Sequence, residues 1–178
     1  GPLRPTEVSF LAESTPITII PRQRLDTLPL ISLTTPRLTP PQRATVPLWL
    51  ALILKKQKRC NIVPPSWLSS HTISGILQWE HDNPSSFSGA LPWHWLELSE
   101  LLLEAASDDI PDANVGGEMD LRVLLRALRE VRQSKARDGL KQLEGTYLLM
   151  NGLGMMEITE LRGFAGMVVD GLRKLGAT

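Results

Sequence analysis

Val46-Pro47-Leu48-Trp49-Leu50-Ala51-Leu52-Ile53-Leu54-Lys55-Lys56-Gln57-Lys58-Arg59-Cys60-Asn61-Ile62-Val63-Pro64-Pro65 is the stretch on which the fold turns. Pro47 has no amide proton to lose in a first helical turn, so it suits the start of a helix. The apolar run that follows ends in Lys55, Lys56, Lys58 and Arg59. Cations are favoured at a helix C-terminus by about 0.3–1 kcal/mol each, so the basic run has a structural explanation before any partner is invoked. Asn61-Ile62-Val63 reads as a short strand stopped by Pro64-Pro65. That double proline is the expected boundary between two domains.

Upstream, nine of the 14 prolines fall in the first 47 residues. Proline breaks helices and removes strand donors, so short strands and loops are expected here. Glu7–Glu13, Ile17–Ile20 and Leu28–Leu33 are β-compatible runs, and Pro36–Pro47 reads as a proline-rich loop. Downstream, no proline follows Pro111, which permits long helices. Ser66 or Ser70 is placed to cap a helix carrying Ile73, Ile76, Leu77 and Trp79. Pro92 opens a second helix with Trp95, Leu98, Leu102 and Ala105 at helical spacing. Met119–Glu144 is the longest helical candidate, with Leu121, Leu124, Leu128 and Val131 in one stripe and Arg122, Arg126 and Arg129 in another. A last helix over Thr159–Leu175 carries Leu161, Phe164, Val168 and Leu172. The expected class is α+β: a small β-rich domain with one helix over residues 1–63, then a mostly α-helical domain over 64–178.

The formal net charge is zero, from 19 basic and 19 acidic residues, but the signs are segregated. Residues 1–62 carry a net +6, residues 63–120 have ten acids and no Lys or Arg, and residues 121–178 carry +4. Such blocks either pair inside the fold or face partners of opposite sign. The longest apolar run, Val46–Leu54, is nine residues, whereas a membrane-spanning helix needs about 20. No export-signal pattern opens the chain, and no membrane association is expected.

Catalytic and metal signatures are not found. His71, His81 and His94 make no metal-ligand pattern. Asp108-Asp109 are adjacent loop carboxylates expected to point apart and to accept backbone donors. Asn151-Gly152-Leu153-Gly154 lacks the lysine and hydroxyl of a phosphate loop. The single cysteine, Cys60, is expected to be a buried structural thiol. Trp67, Trp93 and Trp95 sit at junctions between elements, where they suit anchoring roles. The pattern favours a subunit of an assembly over an enzyme, and no cofactor is expected. The subunit interface is expected at Leu121, Leu124, Leu128, Val131, Leu161, Phe164, Val168 and Leu172. A partner or phosphate contact is expected at Lys55, Lys56, Lys58 and Arg59, and a small nucleic-acid-binding module using that run is the alternative.

Val46–Ala51, Leu54-Lys55-Lys56 and Cys60–Leu68 closely resemble the Psf-two type of subunit of the eukaryotic GINS complex. Glu7-Val8, Phe10–Glu13, Ile17–Pro21, Leu101-Leu102-Leu103, Ala106–Pro111 and Met156-Glu157-Ile158 match the same pattern in order. The resemblance is weak at residues 36–45, at 81–92 and around Gly116-Gly117, which look like variable loops. It implies a non-catalytic scaffold in a nuclear heterotetramer with Sld-five, Psf-one and Psf-three type subunits. Each subunit of that complex has a helical A domain and a β-rich B domain, here with B first. The resemblance further implies that the complex joins the minichromosome maintenance ring and the Cdc-forty-five protein in the replicative CMG helicase, meeting DNA only indirectly.

Overall fold

A computed structural model describes residues 12–27, 36–141, 154, 156–157 and 160. Three antiparallel strands form a small sheet: β1 Pro16–Pro21 is central, between β2 Ala44–Pro47 and β3 Cys60–Ile62. Ile17 lies opposite Val46, and Ile19 lies opposite both Ala44 and Ile62. Strand alternation therefore puts Ile17 and Ile19 on one buried face with Val46 and Ile62. Helix α1, Leu48–Lys56, follows Pro47 directly and covers that face with Leu48, Leu50, Ala51 and Leu54.

The sequence reading of Pro36–Pro47 as loop misses β2 and an isolated bridge between Leu25 and Leu38. Of the expected Glu7–Glu13 run, residues 7–11 lie outside the described residues, and Ala12 and Glu13 are helical rather than extended, with the turn closed by Thr15 N–H donating to the Ala12 carbonyl. The Leu28–Leu33 run and the Thr159–Leu175 helix lie outside the described residues, apart from Glu160, which is helical.

Cys60 is fully buried beneath α1, its Sγ 3.7 Å from the Ala51 carbonyl oxygen. Burial pushes its thiol up to about 11. Alkylation of the folded protein at pH 8 is therefore expected to run at least about 100-fold slower than in urea; equal rates would show that α1 does not cover Cys60.

Three further helices follow: α2 Ser70–Asp82, α3 Trp95–Ala105 and α4 Leu121–Lys141. The cap of α2 is Ser69, between the two serines expected from sequence, and its Oγ accepts the Thr72 amide. Ser70 instead joins α2 to the turns before α4: its N–H donates to Asp112 and its hydroxyl to the Met119 carbonyl. Gly116 and Gly117 have φ of 73° and 76°, a conformation that suits glycine. They bring the chain round so that Asp120 accepts the Gly116 and Arg122 amides, and α4 starts two residues later than the apolar pattern indicates. The main core is continuous from the sheet through α1 to α3 and α4.

Candidate functional site

The charge blocks meet inside the fold. Lys55, at the end of α1, is 8% exposed at its side chain and stands 2.8 Å from both Asp108 and Asp109. Asp109 also accepts the Ile62 amide of β3 at 2.8 Å. The adjacent carboxylates therefore converge on one ammonium instead of pointing apart, because the short 3-10 turn Ser107–Asp109 curls both toward it. Burial alone would lower the Lys55 pKa, but the two aspartates outweigh it and hold it above 10.5. The hydrogen bond from Lys55 holds the Asp108 carboxyl below its ordinary range. This clamp ties the sheet and α1 to the turn after α3. Lys55 is thus an internal tie, which corrects its expected role as a partner or phosphate contact; Lys56, Lys58 and Arg59 are exposed.

A second ionic cluster lies deep among the helices. Arg132 of α4 is fully buried, as is Glu80 of α2. The guanidinium donates to Glu157 through Nε at 2.6 Å and Nη2 at 3.0 Å, and to Glu80 through Nη1 at 2.6 Å. Lys135 pairs with the other Glu80 oxygen and donates to the Asn83 and Ser86 carbonyls. Ser88 N–H completes Glu80, while Trp95 Nε1–H and Gly154 N–H complete Glu157. Arg132 also lies 5.3 Å from the Phe87 ring centroid and 5.8 Å from that of Trp95. Two cations and two carboxylates make the cluster neutral, and it joins α2, the loop after it, the start of α3, α4 and the chain near residue 157.

Gly154 is essential to that closure. A Cβ there would sit 2.8 Å from the Trp93 carbonyl oxygen and 3.3 Å from the Trp95 ring. Gly154→Ala is expected to cost about 1–3 kcal/mol through overpacking. A thermal midpoint equal to wild type would show that the contact is not held.

The expected interface stripe is corrected in part. Leu121 and Leu128 have no exposure and Leu124 has 7%, all within this chain's own core. They pack against the other helices and offer no surface to a partner. Val131 is half-buried. Leu161, Phe164, Val168 and Leu172 lie outside the described residues. Of the tryptophans singled out, Trp95 is buried in the cluster, Trp67 is half-buried and Trp93 is exposed. His71 and His81 are exposed, and His94 occupies the N-cap position of α3. Among the described residues, no three His, Cys, Asp or Glu side chains are placed to hold a metal ion, and no helix is long and apolar enough to cross a membrane.

Two family models match this chain in the same two-part order. Residues 4–63 match the family model described as PSF2 N-terminal domain, and residues 67–176 match the GINS complex protein helical bundle domain. The chain belongs to the PSF2 family of GINS proteins. Relatives named DNA replication complex GINS protein PSF2 include those of Candida albicans and Schizosaccharomyces pombe. The first is 45% identical over 98% of this chain and 84% of the relative. The second is 44% identical over 96% of this chain and 90% of the relative. The Gibberella zeae protein is 40% identical, over 99% of this chain and 86% of its own length.

In this PSF2 family chain the Lys55 clamp reaches from the first matched segment into the second. The buried cluster lies wholly within the second. Sequence reasoning missed Arg132 and Glu80 as a pair, although a signal was present. Arg132 continues the buried row Leu121, Leu125, Leu128 and Ala136 at three- and four-residue steps, so a charge stands in the middle of an apolar stripe.

Proposed function

We propose that this chain is a non-catalytic structural subunit of a four-subunit GINS complex acting in DNA replication in the nucleus. The observation that carries the reading is the pair of family matches, sheet domain then helical bundle, on one continuous chain. The name its relatives carry, DNA replication complex GINS protein PSF2, supports it. So does the way the charged side chains are used: Lys55, Arg132, Lys135, Glu80, Asp109 and Glu157 are spent on holding the fold, not on a reaction centre.

In this reading the domains divide at Pro64-Pro65, and the ionic ties set one fixed geometry that partners read. Leu161, Phe164, Val168, Leu172 and Val131 meet the Sld-five, Psf-one and Psf-three type subunits. The finished complex then joins the minichromosome maintenance ring and the Cdc-forty-five protein. The test is co-expression of the tagged chain with the other three subunit types, followed by affinity capture. Recovery of all three in equal amounts, with Cdc-forty-five and the ring retained when added, is the expected result. Capture of the tagged chain alone overturns the reading.

A further inference from the structure

The helix dipole favours Lys56 in the last turn of α1, but Lys58 and Arg59 add positive charge beyond that turn, and Arg22, which donates to Asn61, adds more beside it. No acidic residue occurs between Asp26 and Glu80. The backbone brings a second basic segment to the same place: the Arg22 amide donates to the Arg59 carbonyl at 2.8 Å, beside the Pro21–Cys60 pair of the sheet. Arg22, Lys56, Lys58 and Arg59 are all exposed on adjoining turns. Among the described residues, none of these four forms an ion pair. Only Lys55 is neutralised, by the clamp.

The turn itself is a Schellman closure. Lys58 N–H donates to the Lys55 carbonyl and Arg59 N–H to the Leu54 carbonyl, with Lys58 at φ 57°. Glycine favours that position and a lysine costs about 1 kcal/mol there, so the fold alone gives no reason for a cation. Next to it the solvent side of α1 is apolar. Ile53 is 47% exposed, and Trp49 and Leu52 beside it are half-buried. A helix whose outward side is also apolar normally has a neighbour.

We propose that Trp49, Ile53 and the cations Arg22, Lys56, Lys58 and Arg59 form a docking surface for an acidic segment of a partner protein carrying one apolar anchor. The apolar strip distinguishes a protein from a nucleic acid: a phosphate backbone would use the cations but gain nothing from Ile53. The inference rests on the subunit reading, since the partner is sought among proteins of that assembly.

Two variants test it, Ile53→Ser and the triple K56E/K58E/R59E. Each is carried in the co-expressed subunit and measured against the other three subunits, the minichromosome maintenance ring and Cdc-forty-five. All substituted positions are exposed, so Ile53→Ser is expected to match the wild-type thermal midpoint, while the charge variant, which puts acids at a helix C-terminus, is expected to lose a few degrees. Both variants are expected to weaken one and the same binding step about tenfold or more, and in the wild type that step should weaken with salt. The proposal is overturned if neither variant changes any step. It is also overturned if the charge variant alone acts and abolishes binding of a labelled single-stranded oligonucleotide, which would make this a phosphate surface. A fall in the thermal midpoint of Ile53→Ser with every binding step intact means that the chain covers the strip itself, and likewise overturns it. If wild type joins none of the three subunits, the subunit reading fails, and the docking surface fails with it.

Discussion

Arg132→Ala is expected to destabilise the helical part of the chain by about 3–5 kcal/mol, because it takes a cation from two buried carboxylates and leaves Glu157 with none. Glu80 would keep Lys135 and the Ser88 amide, but Glu157 would keep only neutral donors, Trp95 and Gly154. At about 2–4 °C per kcal/mol for a domain of this size, the thermal midpoint should fall by roughly 10 °C. The control is the triple variant E80Q/R132M/E157Q, which removes the three most deeply buried charges together and leaves Lys135, 10% exposed, the Asn83 and Ser86 carbonyls. Buried ion clusters contribute little net stability over well-packed neutral groups, so the triple variant should recover much of the loss. Differential scanning fluorimetry of the co-purified complex reads both. If Arg132→Ala matches wild type, or the triple is no better than the single variant, the cluster is not the tie described here.

The second large effect is expected at Lys55→Met, which keeps the apolar stem and removes the charge. Asp109, 11% exposed, would retain only the Ile62 amide, and the loss should be about 2–3 kcal/mol. Asp108 is 65% exposed, so Asp108→Asn should cost less than about 1 kcal/mol. The clamp crosses from α1 to the turn after α3, so its loss should also loosen the chain between them. Trypsin has no Lys or Arg to cut between residues 63 and 120, so chymotrypsin at Trp67-Leu68 is the better probe. Cleavage there should be faster in Lys55→Met than in wild type, and equal rates would count against the clamp.

The pH dependence of the clamp follows from the same contacts. The lowered Asp108 pKa stabilises the fold above the ordinary carboxylate range and is lost as pH falls through the lowered value. The raised Lys55 pKa stabilises it below 10.5 and is lost as pH rises through the raised value. The clamp should therefore be constant across neutral pH and weaken only at the two extremes.

Local chemistry made much of this fold legible. Pro47, the apolar run and the terminal cations mark α1; the alternation of Ile17 and Ile19 marks β1; the Leu121–Leu128 spacing marks α4. What the sequence withholds is long-range. Strand β2 has four residues ending in proline, and only its pairing with β1 makes it a strand. Glu80 and Arg132 are 52 positions apart, and Lys55 and Asp108 are 53 apart. No local periodicity joins such pairs. The same limit applies to Leu121, Leu124 and Leu128, since an apolar stripe looks alike whether its own core or a partner covers it. Charge segregation left two readings open, pairing inside the fold or facing partners of opposite sign; Lys55–Asp109 and Arg132–Glu80 are pairs of the first kind, between the acidic middle and each basic end.

Light scattering after size exclusion, on this chain co-expressed with the three other GINS subunit types, tests the scaffold role most directly. One peak with a mass equal to one copy of each chain is the predicted result. A separate peak at this chain's own 19.8 kDa, with the other three assembled without it, would contradict it.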